Sequence, residues 1–483
     1  MAKLKVGLVG SGQLSFPGDK TAQFRRSCGE MQEFARELGF DLFIYGDIVI
    51  TEEDGEAAVR ACEGEGVDFL LLQCVSYSSG MLAPVFGRAK VMGLGLWAIP
   101  EGADDGVVPF NSFCSINMFS GIIGHYLEDD RVRFKWFYGN RGDAFFDRRL
   151  EVTVRALGSI KKMKSSKIAL IGGVAPGFND LYFDERKILK MYGGVKINRL
   201  HEFSEIKDRA LAYRPSEVEP VARSMASCAS CVNPKAAPLM ETNARIYRAL
   251  KDFVAEYGYD AVAVSCWPAF QQQFGFSVCS VLAQLNEEGT VAACEGDLVS
   301  ALSMLNLKYL ADDATMLMDL IAFDEDDQTV LMWHCGPAAK QFCSGEGYSL
   351  DLNYSGAPHE HGMSDPNGLG VTRDMVFAGM PVTVARLDAA LENMLLVSGE
   401  FISREKRSLR GSRGWMDNLK MNLEKVSVRD FVNTIMVNRF PHHFPIAPGE
   451  WSDEIAEVCS WLGLGWVKKS PYADHMQNGS CGK

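Results

Sequence analysis

No stretch of the sequence approaches the length of a membrane span. Its opening, MAKLKVGLVGSG, offers only about six apolar residues before the glycines, too few for the apolar centre of a secretory leader. Basic residues do not predominate either. Lys+Arg number 49 against 62 Asp+Glu, a net charge of −13. General nucleic-acid binding needs a basic face that displaces counterions, so that class is set aside. The 13 cysteines are odd in number and scattered, mostly through apolar runs (Cys74, Cys266, Cys279, Cys294). Cys228 and Cys231 form a CxxC with no second pair at zinc-ribbon spacing. Reduced thiols acting as small core residues of a cytoplasmic protein are the expectation.

Several nucleotide and metal fingerprints are incomplete. GLVGSGQLS follows the first apolar run, but Ser15 stands where a dinucleotide fingerprint needs its third glycine. GGVAPGF lacks the Lys-Ser/Thr of a phosphate loop. His359 and His361, in APHEHGMSDPNG, do not form HExxH and read as part of a solvated Pro/Gly loop.

What is present is a globular composition, 47% hydrophobic and 23% charged over 483 residues, too long for a single core. The first third alternates apolar runs (LKVGLVGSG, VDFLLLQC, MGLGLWAIPEG) with helical spacing, as in CGEMQEFARELGFD. Continuous apolar strands separated by helices imply a parallel sheet covered on both faces. The pattern restarts at KIALIGGVAPGF and runs to TVAACE. Past residue 312, ATMLMDLIAFDEDDQTVLMWHCG reads as two strands around an acidic turn, followed by further strands. The expected class is α/β: two Rossmann-like doubly wound domains, 1–165 and 166–312, then a mainly antiparallel β-barrel domain, 313–483.

The stretch TVAACEGDLVSAL carries the most chemistry. A short apolar run ends on Glu295-Gly296-Asp297, at the kind of strand end where open parallel sheets hold ligands. Asp297 precedes Leu298, Ala301, Leu302 and Leu305, an i, i+3, i+4, i+7 stripe, and is placed to cap that helix. Glu295 lies too early to cap and needs another reason. Asp319 interrupts TMLMDLIAF, where an unpaired carboxylate would cost several kcal/mol without a partner. A turn centred on Asp326-Asp327 would set Asp319 opposite His334. His442 and His443 are adjacent in NRFPHHFPIAPG, and on a regular strand only one would enter a shared site. Two carboxylates and a histidine form a mainly oxygen donor set, suited to Mn²⁺ or Mg²⁺.

These residues carry a resemblance. AACEGDLVSALSM, Asp319 twenty-four residues after Glu295, VLMWHCG and HHFPIAPGEWSDEIAEVCSWLG resemble the L-fucose/L-arabinose isomerase superfamily, as do LGLWAIPEG and VPFNSFCSINMFSG. The resemblance implies an aldose–ketose isomerase that binds Mn²⁺, with Mg²⁺ or Co²⁺ as substitutes. It also implies a homo-oligomer with sites between subunits. Glu295 and Asp319 match the acidic residues that hold the ion and move protons, and His443 matches the histidine ligand. His334 resembles an additional histidine of the arabinose branch, whereas Asp rather than Glu at 319 follows the fucose branch. Members act on deoxysugars, pentoses or the sulfonated sugar sulfoquinovose.

For the sugar itself, SCWPAFQQQFG offers Trp267 for stacking and Gln271 or Gln272 for hydroxyls, with core packing an equal reading for Trp267. Tyr77 stands at a strand end where the family uses an aromatic residue reaching a neighbour's site. The basic run from Arg404 to Arg413 is either a solvated face or a receiver of an anionic substituent. Two other classes remain in view, a sugar-binding clamp of two α/β domains and a nicotinamide-dependent dehydrogenase.

Overall fold

A computed structural model describes residues 3–102, 104–127, 132–353, 370–403 and 409–479. The chain forms two compact units, Met1–Lys161 and Lys162–Lys483. His359 and His361, together with Arg404 of the basic run, lie outside the described residues.

The first unit is built on a five-stranded sheet, all parallel, in the order Asp41–Val49, Lys5–Ser11, Phe69–Cys74, Gly93–Ala98, Phe134–Tyr138. Every residue of FLLLQC and GLGLWA is buried, which explains their unbroken apolarity: strands covered on both faces have no polar side to alternate with. Helices of this unit start on side-chain caps. Asp19 accepts the N–H of Ala22 before Lys20–Leu38, and Thr51 with Asp54 forms a capping box before Glu52–Gly64.

The second unit opens with a four-stranded parallel sheet ordered Val291–Ala293, Ala261–Val264, Lys167–Ile171, Lys196–His201. In chain order this is the same 2-1-3-4 winding as the first sheet. Six further strands close into an antiparallel ring. Met316–Asp324 pairs with Thr329–His334, which pairs with Ser412–Met421 and, through it, Asn393–Ile402. Met380–Leu387 and His443–Pro448 then return to Met316–Asp324. The expected α/β class with an antiparallel barrel is therefore what the chain adopts.

Helix Leu298–Ala311 joins the two parts. It is buried on nearly every side, with Leu298 through Leu307 all inaccessible, as a helix apolar all round requires. It packs on strands Ala261–Val264 and Val291–Ala293 of the parallel sheet and on Met380–Leu387 and His443–Pro448 of the barrel. One core, including Ile168, Val262, Leu302, Met318, Val384 and Ile446, runs through all of them. The N-terminus of this helix is thereby fixed where sheet and barrel meet. Among the described residues no helix is long and apolar enough to cross a membrane.

Candidate functional site at the carboxyl ends of the second sheet

Three loops leave the carboxyl ends of the second parallel sheet together: one after Ile171, one after Val264 and one after Ala293. The third is the tightest. Glu295 and Gly296 both adopt positive φ, 59° and 69°. A Cβ on Gly296 would lie 2.1 Å from the carbonyl oxygen of Gly173, so the glycine is demanded by backbone contact as well as by φ. The turn is held by Gly296 N–H to Val264 O (3.0 Å) and Ala175 N–H to Glu295 O (2.9 Å). A non-glycine residue at positive φ is a strained feature of the kind found at functional sites, and the Glu295 carboxylate meets His442 and His443.

Asp297 caps the helix as its spacing predicts, accepting the Ser300 N–H at 2.8 Å and the Ser300 hydroxyl at 2.6 Å. It does more than cap. Its carboxylate, fully buried, also meets Arg386 at 3.2 Å and accepts from Nδ1 of His443 at 3.0 Å. That last bond fixes the His443 tautomer, because a ring that donates from Nδ1 turns the lone pair of Nε2 outward when neutral. Nε2 lies 3.3 Å from Glu295 Oε2 and 3.8 Å from Asp319 Oδ1. Among the described residues, neither Nε2 nor Asp319 Oδ1, both buried, has a hydrogen-bond partner.

Asp319 reaches this point by a different neighbour from the one expected. The hairpin begins in the expected register, with Asp324 opposite Thr329, but a bulge at Ile321 slips it by one residue. Asp319 therefore faces Trp333 rather than His334, and on its other side it faces His443. The carboxylate–imidazole pair exists, but with the other histidine. The two adjacent histidines also depart from expectation. The strand starts at His443, so His442 lies outside regular alternation, and both rings reach Glu295 Oε2.

His442 is held from behind by Asp180. Its Nδ1 lies 2.7 Å from Asp180 Oδ2, its backbone N–H donates to the same oxygen at 3.2 Å, and its Nε2 lies 3.2 Å from Glu295 Oε2. Phe178 covers the ring at 5.3 Å. Asp180 and Phe178 have no marked pattern in the sequence. The available signal was their place in GGVAPGFND, the loop after a parallel strand.

His334 is deeply buried, and burial pushes its pKa down. The Cys335 N–H donates to its Nδ1 at 2.8 Å, so in the neutral ring Nε2 carries the proton and points at Cys294 Sγ, 3.0 Å away. His334 is thus arranged as a donor. Among the described residues, two groups of donor atoms lie within 4.8 Å of one another and could hold a metal ion: Cys294, Glu295, His334 and His443, and Asp319, His442 and His443. The second group carries the two unsatisfied atoms, which a divalent ion would satisfy, and Glu295 adjoins it through His443.

Charge follows from these contacts. Burial raises the Glu295 carboxyl, but His442 and His443 outweigh it and hold the group well below the usual carboxylate range. Burial at the strand end alone would raise it towards neutrality, and the two imidazoles beside the carboxylate reverse that. For His443 burial acts downward, while Asp297 and Glu295 lift it to about 10. A folded-state pKa raised above the unfolded value near 6.5 contributes stability that is complete below that value and disappears as pH rises through about 10. Metal-free protein is therefore expected to melt at progressively lower temperature between pH 7 and pH 10. The His443→Gln variant, measured in parallel, should show a flatter profile over that window. Equal slopes for the two proteins would refute the assignment.

Glu295, Asp319, Trp267 and Gln271 line one cavity of about 290 Å³, with Phe178, Trp333, His334 and four other residues. Trp267 meets Phe178 edge-on at 5.6 Å. Gln272 is exposed and is not part of that lining. Tyr77 belongs to the first unit, where its ring packs on Phe16 at 5.7 Å. Of the described basic residues after Phe401, Arg410 pairs with Asp351 at 2.6 Å and Arg413 pairs with Asp374. Cys228 and Cys231 are exposed and unbridged, while Cys74, Cys266, Cys279 and Cys294 are buried free thiols.

Known proteins can now be set beside this geometry. No family model matches the chain. A sulfoquinovose isomerase of Alkalicoccus urumqiensis is 26% identical over 406 residues, 83% of this chain and 86% of that protein. One of Priestia megaterium is 23% identical over 420 residues, 86% of this chain and 89% of that protein. The chain is a distant homologue of the sulfoquinovose isomerases. It is accordingly an enzyme of the isomerase class, and the resemblance read from its motifs extends over most of its length. A solute-binding protein of Actinobacillus succinogenes with bound D-allose covers 64% of the chain at 14% identity, but its TM-score of 0.18 carries no argument.

Proposed function

We propose that the protein is a divalent-metal-dependent aldose–ketose isomerase acting on open-chain sulfoquinovose. The observation that carries the site is the meeting of Glu295 and Asp319, two carboxylates on the wall of one cavity, with the buried His443 behind them. The substrate rests on the homologues, which are sulfoquinovose isomerases. Mn²⁺ is the expected ion, because two carboxylates and one imidazole form a mainly hard donor set.

When bound, such an ion would polarise the carbonyl and stabilise negative charge shared between O1 and O2. The remaining chemistry belongs to the protein. His442 and His443 keep Glu295 ionised, which suits it to holding the ion and the sugar oxygens. Asp319 lines the cavity, placed to take the proton from C2 and return it at C1. Trp267, Phe178 and Trp333 provide apolar faces for the sugar chain and keep bulk water from the proton being moved. Gln271 is the nearest candidate for a hydroxyl contact. The same reading includes assembly into an oligomer, with Tyr77 reaching a neighbouring site.

The test is proton exchange followed by NMR in deuterated water with Mn²⁺ present. Sulfoquinovose should gain deuterium at C2 and yield the ketose, and a chelator should abolish both. L-fucose and L-arabinose serve as parallel substrates. Tight sugar binding without exchange would overturn the isomerase reading, and exchange that survives chelation would overturn the metal.

A further inference from the structure

We infer that Cys279 and Cys335 form a reversible dithiol–disulfide pair in the cavity wall, a covalent modification site that disables the cavity when oxidised. Their sulfur atoms lie 3.0 Å apart, and both residues line the cavity that holds Glu295 and Asp319. They come from distant segments. Cys279 is the first residue of helix Cys279–Glu287, and Cys335 follows strand Thr329–His334.

The surroundings of Cys279 favour a thiolate. A cysteine at a helix N-terminus faces free backbone N–H groups. Asn353 Nδ2 donates to its sulfur at 3.1 Å and to the Ser277 oxygen at 2.6 Å. That leaves the Ser277 hydroxyl able to donate to the same sulfur at 3.3 Å. The Cys335 thiol beside it, then Ser277 and Asn353, outweigh burial and hold the Cys279 thiol below its ordinary pKa, whereas the Cys335 thiol is pushed up. Cys279 is buried and Cys335 half-buried, so the pair combines a sheltered nucleophile with a more accessible resolving thiol.

A hydroperoxide small enough for the cavity is the oxidant class that fits. The Cys279 thiolate attacks the peroxide oxygen, the O–O bond breaks, and a sulfenic acid forms as the leaving oxygen takes a proton. Cys335 sulfur then attacks Cys279 sulfur, and its proton leaves with the hydroxyl as water. Two thiols are oxidised by two electrons, and with hydrogen peroxide as the oxidant one peroxide is reduced to two waters. A thiol reductant reverses the bond.

An S–S bond of about 2.05 Å requires the sulfurs to close by roughly 1 Å. Cys335 adjoins His334, and its N–H holds His334 Nδ1 at 2.8 Å. Its carbonyl accepts the Thr372 hydroxyl. Closing the bond therefore moves the backbone that seats His334 beside Glu295, and a shift near 1 Å in such a site costs rate.

The effect on activity rests on the isomerase reading; the bond itself does not. Reduced protein is treated with hydrogen peroxide, remaining thiols are alkylated, and peptides are mapped by mass spectrometry. A cross-linked peptide pair joining Cys279 to Cys335 is expected, with the exposed Cys114, Cys228 and Cys231 as references for general oxidation. Isomerase turnover should fall about 10-fold or more and return with dithiothreitol. The Cys335→Ser variant should lose a far smaller fraction of its own untreated rate. Cys279 and Cys335 both remaining alkylatable after the reference thiols have reacted would overturn the pair. Oxidised protein as active as reduced protein would overturn its control of the cavity. A protein inactive in both states would refute the isomerase reading, while the mapping would still decide the bond.

Discussion

Glu295→Gln is expected to slow C2 proton exchange by about 10²–10⁴-fold and to weaken Mn²⁺ binding. Gln preserves the volume and the strained turn, because the backbone bonds of residues 295 and 296 to Ala175 and Val264 do not involve the side chain. What it removes is the anion facing two imidazoles, at 3.2 Å from His442 and 3.3 Å from His443. The amide also cannot bind a divalent ion as a carboxylate does. Exchange measured by NMR and metal affinity measured by calorimetry should fall together. If exchange collapses while affinity is unchanged, Glu295 moves the proton and Asp319 holds the ion, the reverse of the proposed division. Exchange near the wild-type rate would remove Glu295 from the reaction.

Asp297→Ala is expected to be the most destabilising change near the site. The carboxylate caps helix Leu298–Ala311, and losing an N-cap costs about 0.5–2 kcal/mol. It also compensates Arg386, which is 1% exposed, and stranding a buried cation costs about 3–5 kcal/mol. These contributions share one side chain and need not add. A loss of about 3–5 kcal/mol by urea denaturation is expected. His443 would also lose the acceptor that sets its tautomer, and metal affinity should drop about 10–100-fold. Asp297→Asn keeps the cap and the shape but removes the charge, so it should recover part of the stability. An alanine variant as stable as wild type would show that Arg386 finds another partner.

Much of this molecule is legible along the chain. FLLLQC and GLGLWA are apolar at every position because both faces of a parallel sheet are covered, and that local fact survives folding unchanged. The cap at Asp297 follows from a helical stripe beginning at the next residue. Glu295 stands out because no local role accounts for it. These readings depend on neighbours a few residues away.

The site's contacts do not. A one-residue bulge at Ile321 decides whether Asp319 meets His334 or Trp333, and no sequence pattern announces it. His442 and His443 converge on one oxygen because the strand begins between them. Asp180 reaches His442 across 262 positions of chain, and Cys279 meets Cys335 across 56. Read in order, the cysteines are scattered core residues, and only the docking of sheet against barrel puts Cys266, Cys279 and Cys335 on the cavity wall with Cys294 against His334. The sequence by itself determined the class, parallel sheets covered by helices followed by an antiparallel barrel, and the carboxylates worth asking about, since periodicity and caps are short-range. Which atoms those carboxylates face was decided by packing around one buried helix, where displacements of a single residue redirect every side chain.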